Sequence, residues 1–202
     1  KGANFYPVDM TEEEYAAIQD TGVFSQYTVV CRDENGALKA IPFHEYYKPQ
    51  IDKVLDLMDQ AIALAENEGM KNYLIARREA LATDQYQKSD FAWMDMKDSR
   101  VDFVVGPIEN YTDALYGKKT AHEAFILLKD EKWSNDLAKY TAMLPDIQAS
   151  LPCDPQYKPA MKGSKSDLNV YDVVYYAGDC NAASKTIAIN LPNDEDVQLA
   201  YG

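Results

Sequence analysis

Histidine is scarce in this chain, which has only two, His44 and His122, among its 202 residues. A catalytic zinc ion typically binds three protein ligands, often including two histidines on one helix with a glutamate beside the first. Each histidine here is followed by a glutamate, but neither is followed by another histidine four or five residues later. We therefore predict no metal site in this chain, and we interpret His44 as the end of a hairpin and His122 as the end of a strand.

Cysteine, basic residues and long apolar runs are also in short supply. Cys31, Cys153 and Cys180 form an odd, widely spaced set that implies no disulfide framework. These thiols and the absence of a visible signal peptide favour a cytoplasmic location. The 20 basic residues are outnumbered by 33 acidic ones, and the net charge of -13 argues against nucleic acid or an anionic membrane as partner. No apolar run approaches the roughly 20 residues that span a bilayer.

Residues 1–99 carry the patterns of helices and a hairpin. Thr11 lies three residues before Glu14, which predicts a capped helix that runs to residues 20–22. Asn35-Gly36 lies between two apolar runs and predicts a two-stranded antiparallel hairpin. Apolar residues then recur at spacings of three and four, which is typical of helices with one buried face. This periodicity predicts helices over residues 49–67 and 70–81, and the apolar residues within 86–97 predict a third, largely buried helix there instead of a cofactor-binding segment.

Residues 100–202 are predicted to form the main sheet. Four of the five residues in 101–105 are apolar, which indicates a buried strand that is interrupted at Gly106-Pro107. Glu109 and Tyr111 are two residues apart, so in extended backbone both side chains would lie on one face and meet one ligand. A strand end with solvated polar residues is the alternative interpretation. The remaining pattern predicts a helix within residues 131–149, a loop over 151–165, and strands over 171–176 and 186–191.

Three short motifs follow one another in the second half of the chain. They are Gly106-Pro-Ile-Glu109-Asn-Tyr111-Thr-Asp113, Tyr176-Ala-Gly178 and Ile189-Asn190-Leu-Pro192-Asn193. In this order they resemble the dipeptidyl peptidase III family of zinc metallopeptidases, in its bacterial branch. The resemblance implies an α+β fold with helices packed on a mixed or antiparallel sheet, as part of a two-lobed peptidase. It also implies that residues 123–128 form a strand close to the Glu109 strand.

The resemblance further implies that this chain is the substrate-binding, non-metal part of an exopeptidase that removes dipeptides from peptide N-termini. An ammonium group has three donors and no acceptor, so it requires carboxylate and amide oxygens around it. By resemblance, Glu109, Asn190 and Asn193 bind the peptide amine, and Tyr111 is a catalytic donor to the developing oxyanion. The family often has an arginine five residues after Asn193, where this chain has Gln198.

The chain begins at Lys1 without a methionine, and we expect it to be a piece of a longer protein. On this expectation the zinc and its histidine-bearing helix belong to a missing part of the same chain, no cofactor binds to the fragment, and the fragment alone is inactive. The alternative is a non-catalytic peptide-binding or interaction module that shares the scaffold. We also expect exposed apolar side chains on the helix at 133–144 or on the segment at 86–97, because the missing part would cover them.

Overall fold

The structure is a computed structural model that describes residues 5–18, 20–158, 168–182 and 186–201. Its helices are α1 (Glu12–Ala16), α2 (Phe43–Tyr46), α3 (Lys48–Leu64), α4 (Glu68–Thr83), α5 (Gln87–Asp95), α6 (Glu131–Thr141), α7 (Leu144–Ser150), α8 (Asp179–Ala182) and α9 (Glu195–Tyr201). Its strands are β1 (Thr28–Arg32), β2 (Leu38–Pro42), β3 (Val101–Glu109), β4 (Ala121–Lys129) and β5 (Tyr171–Gly178). Among the described residues, no helix is both long and apolar enough to cross a membrane.

The N-terminal helix and the hairpin follow their local sequence signals. Thr11 and Glu14 form the predicted capping box at the start of α1. The helix ends at Ala16, however, so the prediction that it reaches residues 20–22 is wrong. The Asp20 side chain accepts a hydrogen bond from the backbone N–H of Gly22 and starts a separate 3-10 turn instead. The predicted hairpin is confirmed, because β1 and β2 pair antiparallel around the turn at Gly36.

Helices α3, α4 and α5 pack around one apolar core in which Tyr73 and Leu81 are almost completely buried. The three predicted helices are confirmed, with different boundaries. The Asn67 side chain accepts a hydrogen bond from the backbone N–H of Met70 at 2.8 Å, which caps α4 and fixes its start two residues before the predicted position. Trp93 of α5 belongs to the same packing and ties the helices to the sheet, since its indole N–H donates to Asp102 of β3 at 2.8 Å.

The three longer strands form an antiparallel sheet in the order β3-β4-β5. Val104 lies opposite Phe125 in this sheet, and both belong to a second apolar cluster. A register shift between Pro107 and Glu109 interrupts the pairing at the end of β3. The expected α+β class and the expected strand at 123–128 are therefore confirmed, and the pairing throughout this sheet is antiparallel.

Two predicted elements differ in the structure. The helix predicted within residues 131–149 is divided into α6 and α7, because Pro145 in the first turn of α7 has no N–H with which a continuous helix could be built. Residues 186–191 do not form the predicted strand, and they pair with no strand among the described residues. Of the predicted loop at 151–165, residues 151–158 are irregular with one 3-10 turn, and the others lie outside the described residues.

Apolar side chains are exposed on one side of the sheet half. Trp133 and Tyr140 of α6 are 57% and 56% exposed, and Val174 of β5 is 58% exposed. On α5, by contrast, Phe91 and Trp93 are half-buried. The exposure expected from the sequence is thus a feature of α6 and not of the segment at 86–97.

Candidate functional site

The candidate site lies at the end of β3, where the chain leaves the sheet. Glu109 is the last residue of this strand and pairs with Ala121 of β4. Glu123 follows two residues later on β4, opposite Gly106. Because alternate residues of a strand point to the same face, the Glu109 and Glu123 side chains share one face of the sheet.

A second chain segment is attached to this strand end through Asn193. The side-chain amide of Asn193 donates to the backbone carbonyl of Ile108 at 3.3 Å, although the two residues are 85 positions apart. Ile189 and Leu191 pack against the apolar cluster of the sheet, which anchors the segment on the other side. The structure therefore brings Asn193 next to the backbone of Glu109.

Gln198, which stands where arginine is expected from the resemblance, stabilises this segment through a hydrogen bond. Its side-chain amide donates to the Pro192 carbonyl at 2.8 Å, and the Leu191–Pro192 peptide bond is cis. Asp194 accepts a hydrogen bond from the backbone N–H of Val197 at 3.0 Å and caps α9. Gln198 thus contributes to the shape of the segment that carries Asn193.

Asn190 and Tyr111 are predicted site residues that, like Asn193, are exposed to solvent. Asn190 is exposed on the irregular segment before Leu191. Tyr111 is 81% exposed and lies in the turn that follows β3. Since β3 ends at Glu109, strand alternation does not relate Tyr111 to Glu109, and the expectation that both lie on one face of a strand is wrong.

The turn that carries Tyr111 is organised around the buried carboxylate of Asp113. Its two oxygens accept hydrogen bonds from four backbone N–H groups, at distances between 2.8 and 3.2 Å; the donors are Leu115, Tyr116, Lys118 and Lys119. A fifth hydrogen bond comes from the hydroxyl of Tyr6 at 2.9 Å. Burial alone would raise the pKa of Asp113, but the backbone N–H donors hold this pKa below its ordinary value.

Glu123 is the functional candidate that the motifs do not reveal. The residue is 6% exposed, and burial, together with the neighbouring Glu109 and Asp179, raises the pKa of its carboxyl group to about 7. The backbone N–H of Cys180 donates to this carboxyl group. The signal in the sequence is the alternation along β4, where 123, 125 and 127 are the buried positions. A glutamate at an inward position of that pattern identifies a carboxyl group that is withdrawn from water.

A cavity of about 70 Å³ lies behind the segment with Asn193. Its walls include Arg77 and Asp90, which form a buried ion pair at 2.6 Å, and the Tyr73 ring beside the guanidinium. Asp194 completes the wall from the other side. The segment at 191–194 is therefore supported by a polar interior and not by close apolar packing alone.

The two histidines take part in packing and local hydrogen bonding. His44 lies in α2, immediately after the hairpin, and its Nδ1 is 2.8 Å from the Asp84 carboxylate. His122 is the second residue of β4, as predicted, and lies between the rings of Phe43 and Tyr47; burial lowers its pKa to about 4. Among the described residues, no three histidine, cysteine or acidic side chains are arranged to hold a metal ion. These residues do not fit a zinc site.

The chain matches Peptidase family M49 over residues 4–202, and it belongs to that family. Dipeptidyl peptidase III from Caldithrix abyssi is 42% identical, with a TM-score of 0.89 over 100% of this chain and 39% of that one. Dipeptidyl-peptidase III from Corallococcus sp. strain EGB is 31% identical, with a TM-score of 0.83 over 96% of this chain and 37% of that one.

A further relative is Nudix hydrolase 3 of Arabidopsis thaliana, which is 33% identical over 225 residues. That similarity covers 97% of this chain and 28% of the plant protein. The chain thus spans between about a quarter and two fifths of the relatives that it matches.

Proposed function

We propose that this chain forms the part of a peptidase cleft that binds the free amino terminus of a peptide, in a zinc-dependent enzyme that removes dipeptides. The observation that carries the proposal is the hydrogen bond between Asn193 and the Ile108 carbonyl. Nothing in the local sequence requires two segments 85 residues apart to meet at this strand end. A ligand that binds to both Glu109 and Asn193 would explain why the two segments meet at this strand end.

The charge at this strand end favours a cationic ligand. Glu109 is half-buried, and it lies close enough to Glu123 to raise the pKa of that group, together with Asp179. The positive charge of a peptide ammonium would offset the repulsion among these carboxyl groups. Its three N–H groups would donate to the Glu109 carboxylate and to the amide oxygens of Asn190 and Asn193. An acetylated amino terminus carries neither the charge nor the three donors, so it should bind poorly.

Tyr111 is the proposed catalytic residue of this chain. Its exposed phenol follows Glu109 by two residues, which is within reach of the first peptide bonds of a substrate anchored at the amine. A phenol that donates to the carbonyl oxygen stabilises the negative charge that develops there during hydrolysis. Zinc in the whole enzyme would supply Lewis-acid chemistry and an activated water, while the residues of this chain bind and orient the peptide.

The amine site is tested by Glu109→Gln, which retains the shape of the side chain and removes its charge. We expect affinity for tetra-alanine to fall about 10- to 100-fold, since a hydrogen bond to a charged group contributes about 1.5–3 kcal/mol. Titration calorimetry of the whole protein encoded by this gene measures the loss, with N-acetylated tetra-alanine as the second ligand. Glu131→Gln changes an exposed glutamate at the start of α6 and serves as the matched control.

Equal weakening of both peptides by Glu109→Gln would show that this carboxylate does not recognise the amine. Peptide binding without release of dipeptides, in protein that has been reconstituted with zinc, would favour the non-catalytic binding module. That second function has one specific observation in its favour, namely that all four proposed ligand-contacting residues lie within this chain.

A further inference from the structure

The turn that carries Tyr111 is fastened to the N-terminal part of the chain. The hydroxyl of Tyr6 donates to Asp113 across 107 positions. The Tyr6 ring also meets Tyr116 edge to face at 5.4 Å, and Tyr15 stacks on Tyr116 at 3.8 Å. Residues of the first helix and of the segment before it thus form one wall of the turn.

A buried lysine, Lys119, attaches the same turn to residues 23–28. The ammonium group of Lys119 donates to the backbone carbonyls of Val23 and Ser25 and to the Thr28 hydroxyl at 2.6 to 2.7 Å. The side-chain amide of Asn110 donates to the Gly117 carbonyl and connects the two sides of the turn. Tyr111 lies between these attachment points.

Tyr111 itself gains little support from packing. Its side chain is 81% exposed, so the direction of the phenol depends on the backbone of the turn. That backbone is set on one side by the N–H of Asp113, which donates to the Asn110 carbonyl at 3.1 Å, and on the other side by the bonds to the Asp113 carboxylate.

We infer that Tyr6 and Asp113 are positioning residues for Tyr111, and this inference rests on the proposed function. The Asp113 carboxylate accepts hydrogen bonds from backbone N–H groups of the turn. The Tyr6 hydroxyl donates to the same carboxylate and so connects it to the N-terminal segment. Neither residue touches the substrate. They determine where the Tyr111 phenol lies when the carbonyl oxygen becomes negative, and a small misplacement of such a donor is costly for turnover.

Tyr6→Phe removes one hydroxyl and leaves the ring contacts in place. In the whole protein encoded by this gene, we expect kcat for dipeptide release to fall about tenfold with little change in KM, because the donor is misplaced while amine binding is retained. In a background of Tyr111→Phe the same substitution should lower kcat less than twofold, because the donor that Tyr6 orients is already absent.

Asp113→Asn is the second variant, and we expect it to lower kcat more than Tyr6→Phe does. Hydrogen exchange of the amides at 115–119 gives a readout apart from activity, and both variants should speed it. Tyr15→Phe is the matched control, because the Tyr15 hydroxyl is buried without a hydrogen-bond partner in the described part of the chain. That control should change neither kcat nor exchange.

Several outcomes would overturn the inference, and they separate it from the proposed function. If Tyr111→Phe lowers kcat and Tyr6→Phe adds its full effect on top, Tyr6 does not act through Tyr111, although the proposed role of Tyr111 stands. If Tyr111→Phe leaves kcat unchanged, both the inference and the proposed catalytic role of Tyr111 are wrong. Unchanged amide exchange in Tyr6→Phe would likewise contradict a positioning role.

Discussion

Glu123 shows how one buried carboxyl group links the candidate site to the stability of the sheet. The side chain is 6% exposed, and its pKa is raised from 4.5 to about 7 by burial and by the nearby Glu109 and Asp179. Between these two values the folded protein retains a proton that the unfolded chain has lost. The free energy of unfolding therefore falls as pH rises through this window.

Glu123→Gln should remove this pH dependence. We expect the variant to gain stability relative to the original protein as pH rises from 4.5 to about 7, by about 1 kcal/mol or more. Urea unfolding at pH 5 and pH 8 measures the difference, with the exposed Glu131→Gln as control. A constant difference between the two pH values would show that Glu123 titrates normally.

The residues of the site differ in how far the sequence alone reveals them. Glu109 and Asn193 follow from ordered motifs, and the contact of Asn193 with the β3 backbone places them together. Glu123 belongs to no motif and is revealed only when the inward face of β4 is known. Tyr111 is expected on the strand but lies beyond it, because β3 and its pairing with β4 end at Glu109.

At the scale of elements, the junction between β5 and α8 depends on a glycine. Gly178 has φ of +87°, and a Cβ at this position would lie 2.2 Å from the His122 carbonyl oxygen of β4. Two separate costs would therefore follow from a side chain, a strained backbone conformation and a clash with the neighbouring strand.

Gly178→Ala should reduce the free energy of unfolding by more than about 2 kcal/mol. Gly36→Ala is the control, because Gly36 has a similar φ of +82° in the hairpin turn but no atom within 4 Å of the added Cβ. Denaturant unfolding of both variants separates the clash from the backbone strain. Equal losses in the two variants would mean that the strands shift apart without cost.

The elements that the sequence predicts well are those that local signals define. The capping box at Thr11 and the Asn35-Gly36 turn each act within a few residues, and the helices at α3 to α5 carry a clear periodicity. Residues 186–191 resemble a strand in composition, but a strand requires a hydrogen-bonded partner, and none of the described strands pairs with them. Whether a segment has a strand to pair with depends on the tertiary structure and cannot be inferred from its composition.

At the scale of the whole molecule, residues before and after position 100 are joined by polar contacts, of which the one between Lys119 and Val23 is buried. Trp93 donates to Asp102, Lys119 donates to Val23, and Gln87 donates to Asp196 at 3.1 Å. The division into a part at 1–99 and a part at 100–202 stays a prediction, and these bonds show that the two parts share an interior.

The buried Lys119 can serve as a chemical-labelling probe for the opening of this shared interior. Lys119 is fully enclosed, so access to its amine should limit acylation in mildly alkaline solution. The neighbouring Lys118 is exposed and provides an internal reference. With an amine-reactive ester and peptide mass spectrometry, we expect Lys118 to be modified at once and Lys119 only when residues 23–28 separate from the turn. Similar rates of modification for both lysines would contradict the enclosure of Lys119. If Lys118 is modified much faster, the rate at Lys119 reports how often the N-terminal segment detaches from the turn.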